Sequence, residues 1–149
     1  MQEQILLQKA RSIEEPDPIL PSRAYTQDAG VDLHVEGDVW LWPFVVTEMP
    51  TGWNVKVPDD HVGIVTSRSS TFKRMHISVH LGIIDASYTG HLCVLVRNLS
   101  LWPRKVKRGV RLAQLLVVPC LMVDLLKVNR LPITGRGTKG FGSTGFEGF

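Results

Sequence analysis

Two segments carry residue types that could do chemistry together. The first is Gly82-Ile83-Ile84-Asp85-Ala86-Ser87-Tyr88-Thr89-Gly90, where an apolar run stops at one carboxylate, passes small residues and one aromatic ring, and resumes. This pattern predicts a β-hairpin whose tip offers a general base, a stacking surface and free backbone donors. The second is the C-terminus, Gly135-Arg136-Gly137-Thr138-Lys139-Gly140-Phe141-Gly142-Ser143-Thr144-Gly145, which mixes glycines, two cations, hydroxyls and one ring. Closely spaced glycines let backbone N–H groups turn toward an anion, and Arg136 and Lys139 supply charge that a phosphate chain would neutralise. Phe141 has nothing local to pack on and could cap a base. The tail therefore reads as a flexible arm that orders over a nucleoside triphosphate.

The string Gly135-x-Gly137-x-x-Gly140 also fits a dinucleotide fingerprint, but that motif needs a long helix after it, and the sequence runs only nine residues further. A solubilising Gly-rich terminus is the plain alternative for the tail. As for metal, His76 and His80 would lie about 13 Å apart on a strand, too far to share one zinc. Ser69 lacks the Gly-x-Ser-x-Gly elbow of a serine nucleophile.

These groups need a scaffold. At 149 residues and 44% apolar content the chain is long enough for one domain with a proper core. A net charge of +3 is too weak to require nucleic acid as partner. Its densest basic cluster, Arg104-Lys105-x-Lys107-Arg108, reads as a solvated turn between strands. Short runs rich in Val, Ile, Leu and aromatics predict strands at Val31–Val35, Val39–Phe44, Trp53–Val57, Gly63–Thr66, Ile77–Ile84, Leu92–Val96, Val110–Val118 and Leu121–Val128. Nine prolines exclude long helices, and one short helical turn is predicted over Ser70–Arg74, capped by a serine. The body is expected to end near Pro132. Cys93 and Cys120 sit in apolar runs, so buried, reduced thiols are expected. With no leader pattern and no apolar run of about 20 residues, a soluble cytoplasmic protein without membrane contact is expected.

In sequence order, Ala29-Gly30-Val31-Asp32-Leu33, Ser67-Arg68-Ser69-Ser70, Gly82–Gly90, Arg111-Leu112-Ala113-Gln114-Leu115 and Arg136–Gly145 resemble the five motifs of trimeric dUTP pyrophosphatases. The resemblance implies an all-β, jelly-roll-like distorted barrel of the β-clip type over residues 1–134, with residues 135–149 as the arm. It implies a homotrimer with shared active sites that uses Mg2+ to hydrolyse dUTP to dUMP and pyrophosphate. This would limit uracil in DNA and supply dUMP for thymidylate synthesis. Asp85 would be the base that activates water, and Tyr88 would lie beneath the deoxyribose and reject a 2′-OH. Uracil would pair with backbone groups between Ile77 and Tyr88, including Gly82 and Ile84. Arg68, Ser69, Ser70 and Gln114 would hold the phosphates, with Asp32 acting on Mg2+ through its waters and Arg111 bracing Asp32. Arg136, Lys139, Gly142, Ser143 and Thr144 would close on the phosphates while Phe141 stacks on the base.

The sequence departs from the family pattern at Ser67 and Ser70, where Pro and Gly are usual, at Lys139 for a glycine and at Thr89 for a basic residue. Two other classes share such a fold. A dCTP deaminase would need a carboxylate at the position of Leu95, and a non-catalytic regulatory module would have no need to keep the base, the ring and the arm.

Overall fold

The computed structural model of the chain describes residues 3–10 and 16–139. It is nearly all β. In chain order the strands are β1 (Leu6–Lys9), β2 (Val31–His34), β3 (Val39–Leu41), β4 (Val46–Lys56), β5 (His61–Ser67), β6 (Ile77–Val79), β7 (Gly82–Ile84), β8 (His91–Asn98), β9 (Arg104–Val106) and β10 (Arg111–Pro119), with α1 (Ser69–Met75) between β5 and β6. Two four-stranded sheets, ordered β1-β4-β8-β6 and β2-β10-β5-β7, and a two-stranded sheet β3-β9 make the distorted jelly roll. Every ladder is antiparallel, and none joins the two larger sheets into a closed barrel among the described residues.

Period-two patterning builds the core. On β8, Leu92, Val94 and Val96 are buried while Leu95 and Arg97 are exposed. They meet Leu33, Leu112 and Leu115 from the opposite sheet in one apolar cluster. Burying a side chain of this size contributes about 1.5–3 kcal/mol. The helix is pinned by Thr71, a buried residue whose Oγ1 donates to the Leu112 carbonyl at 2.8 Å.

Several expectations need correction. The run Ile77–Ile84 is not one strand: β6 pairs with β8 in one sheet and β7 with β5 in the other. The break falls at His80-Leu81, because a two-residue link lets the chain leave one sheet for the other. For the same reason Gly82–Gly90 is no paired hairpin, since β7 and β8 lie in different sheets. Val39–Phe44 stops at Leu41, and Phe44 adopts a left-handed φ of 62°, which no strand accepts. Leu121–Val128 forms no strand, and residues 121–139 are all exposed. The helix takes Arg68 as its N-cap, with no side-chain cap bond. Half of the basic cluster is β9, paired with β3. His76 caps α1 at φ 52° and His80 follows β6, so the two do not share a strand. Both cysteines are free, and each is half-buried rather than buried.

Candidate active site

Two separate cavities gather Ile84, Asp85 and Tyr88 in one and Asp32, Arg68, Ser69 and Gln114 in the other, while Gly82 and Ser70 line neither. The first, about 330 Å³, is lined by Glu48, Ile83, Ile84, Asp85, Tyr88, His91, Cys93 and Leu95. β7 ends at Ile84, so Asp85 leaves the sheet exposed at the cavity rim. A turn closed by the Tyr88 N–H donating to the Asp85 carbonyl at 3.0 Å brings the ring to the same rim. Tyr88 is fixed at its far end, where its hydroxyl donates to the His91 carbonyl at 2.9 Å. The ring can then serve only as a surface. β6 and β7 are each the edge strand of their sheet, so each leaves one row of backbone N–H and C=O groups outside any ladder. A flat heterocycle with alternating donors and acceptors is the kind of group such an edge can pair with.

The second cavity, about 350 Å³, is lined by Ala24, Asp28, Ala29, Gly30, Asp32, Arg68, Ser69, Gln114 and Leu116. Asp32, buried on β2, is clamped by two guanidinium groups: Arg68 Nε lies 2.6 Å from Oδ1 and Arg111 Nη1 lies 3.2 Å from Oδ2. Arg111 thus braces Asp32 as expected. Arg68 is turned onto the same carboxylate and onto the Arg111 carbonyl at 3.3 Å, which leaves its Nη2 without a bond among the described residues. Gln114 donates from Nε2 to the Ser67 carbonyl at 3.1 Å. Its Oε1 lies against Gly30, where a Cβ would come within 2.3 Å of it, so only glycine permits this approach. Ser69 and Ser70 open α1, exposed and half-buried respectively. Beside this cluster, burial and then the Arg111 charge lower the pKa of His34, which keeps the ring neutral. Its Nδ1 is buried without a hydrogen-bond partner.

With both oxygens of Asp32 held by arginines, it cannot bind a cation directly without losing one of them. Among the described residues no group of three His, Cys, Asp or Glu could hold a metal. This donor set fits an ion that keeps its water and takes oxygens from a phosphate chain, as Mg2+ does.

The described part of the arm, residues 135–139, lines neither cavity. Arg136 and Lys139 are exposed in a local turn where Arg136 Nε donates to the Lys139 carbonyl at 3.0 Å. Phe141, Gly142, Ser143 and Thr144 lie outside the described residues. Sequence reasoning missed Glu48, His91 and Cys93. Their signal was alternation: His91, Cys93 and Leu95 are the outward positions of β8, and Glu48 faces out because Met49 is buried. Leu95 lines the first cavity as an apolar side chain, so the position a deaminase would fill with a carboxylate holds none. No helix among the described residues is long and apolar enough to cross a membrane.

A family model described as dUTPase matches residues 17–145. The deoxyuridine 5'-triphosphate nucleotidohydrolase of Mycobacterium tuberculosis is 42% identical over 139 residues, covering 88% of this chain and 90% of that protein. That of Mycolicibacterium gilvum is 40% identical over the same shares of each chain. Among solved structures, a mutant of the Staphylococcus bacteriophage 80alpha dUTPase with dUpNHpp superimposes with a TM-score of 0.87 at 25% identity, over 97% of this chain and 100% of that one. A mutant dUTPase from phage phi11 of S. aureus, described for its coordination of a structural Mg(II) ion, gives 0.74 at 25% identity over 85% and 97%.

Proposed function

The chain belongs to the dUTPase family, and on that premise we propose that it hydrolyses dUTP to dUMP and pyrophosphate. The observation that carries the reading is the sorting of the motif residues. Asp85 and Tyr88 line one cavity, and Asp32, Arg68, Ser69 and Gln114 line another, with no residue in common. The first offers a flat ring surface, two carboxylates and no Lys or Arg, suited to a nucleoside rather than to phosphates. The second offers the guanidinium and hydroxyl donors of Arg68 and Ser69, suited to phosphates.

In this mechanism Asp85 takes a proton from a water, and that water's oxygen bonds to the α-phosphorus. The bond from the α-phosphorus to its bridging oxygen breaks, and pyrophosphate leaves with that oxygen. Tyr88 sits beneath the deoxyribose and leaves no room for a 2′-OH. The exposed backbone edge around Gly82 and Ile84 pairs with uracil. Arg68, Ser69, Ser70 and Gln114 orient the phosphates, while Asp32 holds Arg68 in place and is the residue that would hold a hydrated Mg2+ through its waters. Mg2+ supplies charge neutralisation on the phosphate oxygens when bound. Residues 135–149 form an arm separate from the 1–134 body, and Arg136, Lys139, Phe141, Gly142, Ser143 and Thr144 close over the bound triphosphate.

The family membership supports a homotrimer with shared active sites as the working unit, and on that reading the separate nucleoside and phosphate cavities of one chain are completed by those of its neighbours. Neither nucleic acid nor membrane takes part, and the enzyme works in the cytoplasm, where two free thiols stay reduced.

The test is pyrophosphate release from dUTP, UTP, dCTP and dTTP, with and without Mg2+, by the wild type and Asp85→Asn. The expected result is Mg2+-dependent turnover of dUTP alone, with the variant slowed by roughly 100-fold or more. Comparable turnover of all four nucleotides, or near-normal turnover by the variant, refutes the assignment.

A further inference from the structure

An aromatic patch stands apart from both cavities. Trp40, Trp42, Phe44, Leu101 and Trp102 each keep 56–77% of their surface in solvent, and none lines either cavity. Two segments carry them, the stretch from β3 into β4 and the link between β8 and β9. One nitrogen ties these segments side by side: Asn98 Nδ2 donates to the Leu41 carbonyl at 3.0 Å and to the Trp102 carbonyl at 2.8 Å. Exposed apolar side chains scattered singly are ordinary, whereas a group of large ones on adjoining segments marks an interaction site.

Two observations set this patch apart from leftover surface. Phe44 holds a left-handed φ of 62°, which a bulky residue adopts only under constraint, yet it stays more than half exposed. Trp53 donates its indole N–H to the Ile19 carbonyl at 3.0 Å, whereas the indoles of Trp40, Trp42 and Trp102 have no hydrogen-bond partner among the described residues. The charge beside the patch is positive and modest. Lys105 faces Trp40 across the β3–β9 ladder and is answered by Asp38 at 2.8 Å. Arg104 and Lys107 form no ion pair among the described residues. Such a set selects for an acidic partner but is too small to hold a phosphate backbone. A bilayer also fits poorly. β3 and β9 pair only with each other, so each keeps one backbone row outside any ladder. Hydrocarbon satisfies neither these rows nor the indole N–H groups, and an extended peptide can satisfy both.

We propose that this patch docks an acidic, extended segment of another protein, whose leucine, phenylalanine or proline side chains seat among the three indoles. Trp and Arg are the residue types that dominate binding energy at protein interfaces, and the patch joins three of the first to Arg104. The inference goes beyond the nucleotide reading and does not rest on it, because no residue of the patch takes part in the reaction.

The probes are synthetic peptides in which glutamate alternates with leucine, phenylalanine or proline, added to the full chain and read by calorimetry and tryptophan emission. Three of the four tryptophans lie in the patch, so the emission reports on it directly. Control peptides carry lysine for glutamate, or serine for the apolar residues. Vesicles of phosphatidylcholine and phosphatidylglycerol in equal parts, and oligothymidylate, test lipid and nucleic acid. The variants are Trp42→Ala/Trp102→Ala and Lys107→Glu. At least one acidic peptide should bind and shift the emission to the blue. Its affinity should fall roughly tenfold or more in the double tryptophan variant and about threefold in Lys107→Glu. Turnover of dUTP and the mass by light scattering should match the wild type in both. Binding by none of the acidic peptides, equal affinity for either control peptide, or equal affinity in the tryptophan variant overturns the proposal. So does equal or tighter binding of the vesicles or of oligothymidylate, which assigns the patch to lipid or to nucleic acid. A loss of mass in the tryptophan variant also overturns it, by making the patch a contact between subunits.

Discussion

Tyr88 owes its position to a residue with no side chain. A Cβ on Gly90 would lie 2.5 Å from the Tyr88 hydroxyl oxygen and 2.6 Å from the ring carbon that bears it, so the ring can lie over this segment only while position 90 is bare. The constraint is steric and not conformational, since Gly90 is absent from the positive-φ residues. Gly90→Ala should push the ring off its bond to the His91 carbonyl without strain in the backbone. If Tyr88 supports the deoxyribose, kcat/KM for dUTP should fall by roughly 10–100-fold. The ratio of dUTP to UTP turnover should fall with it. Steady-state kinetics on both nucleotides checks this, and a variant with unchanged selectivity would remove Tyr88 from sugar recognition. An Asp at a turn is by itself an ordinary turn former, and Asp85 and Tyr88 were legible because a carboxylate and a ring stand together between two apolar runs, within one of the family's motifs. The sequence could not reveal what Gly90 and Gly30 are for, because each glycine is required by a side chain that only the folded chain brings against it. The double clamp on Asp32 was half legible: Arg111 as its brace followed from the motif pattern, but Arg68 on the same carboxylate needed the geometry of β2 against the start of α1.

At the scale of elements, strand chemistry was readable wherever apolar residues alternated, and the order of the sheets was not. β6 and β7 read as one strand because Ile77, Val79, Ile83 and Ile84 have strand-forming side chains throughout. Which sheet each joins is decided by partners far along the chain: Ile77 faces Asn98 on β8, while Gly82 faces Val65 on β5. β1 and β9 went unread because they are short and carry Gln, Lys and Arg, which alone predict nothing. One polar residue ties down the elements at the end of β8. Asn98, fully buried, donates through Nδ2 to the carbonyls of Leu41 at 3.0 Å and Trp102 at 2.8 Å, and its Oδ1 accepts from Ser100 N and Oγ. Its own carbonyl accepts the Phe44 N–H at 2.8 Å, which helps hold the left-handed φ there. Replacing it with Ala strands the Leu41 carbonyl in the core and frees the turn after β8. Asn98→Ala should therefore destabilise the fold by about 2–4 kcal/mol. Urea unfolding that gives less than about 1 kcal/mol would show that water or a shifted turn replaces the bonds.

The whole molecule presents more apolar surface than one chain has use for. After β10, Leu121, Met122, Val123, Leu125, Leu126, Val128, Leu131 and Ile133 are all exposed, on a stretch of chain with no helix or strand. Monomers rarely leave such a run uncovered, whereas subunit interfaces use it. That surface, the two unmerged cavities and the Gly-rich end point to different jobs along the last thirty residues or so. On the proposed reading, residues 120–134 would serve assembly and residues 135–149 would close over the triphosphate. Two truncations separate the jobs. A chain ending at Thr134 keeps the apolar run and both cavities, so it should remain a trimer by light scattering and still bind dUMP. It should lose most dUTP turnover, because ordering a glycine-rich arm costs about 1–2 kcal/mol per residue and only contacts to a triphosphate offset that. A chain ending at Pro119 keeps every strand described here, so it should fold, yet it should scatter as a monomer and turn over no dUTP even with Asp85 and Tyr88 in place. Full-rate hydrolysis by the first truncation would reduce the arm to a tail. A stable trimer from the second would move the assembly surface to the strands, and the exposed apolar run would then need another partner.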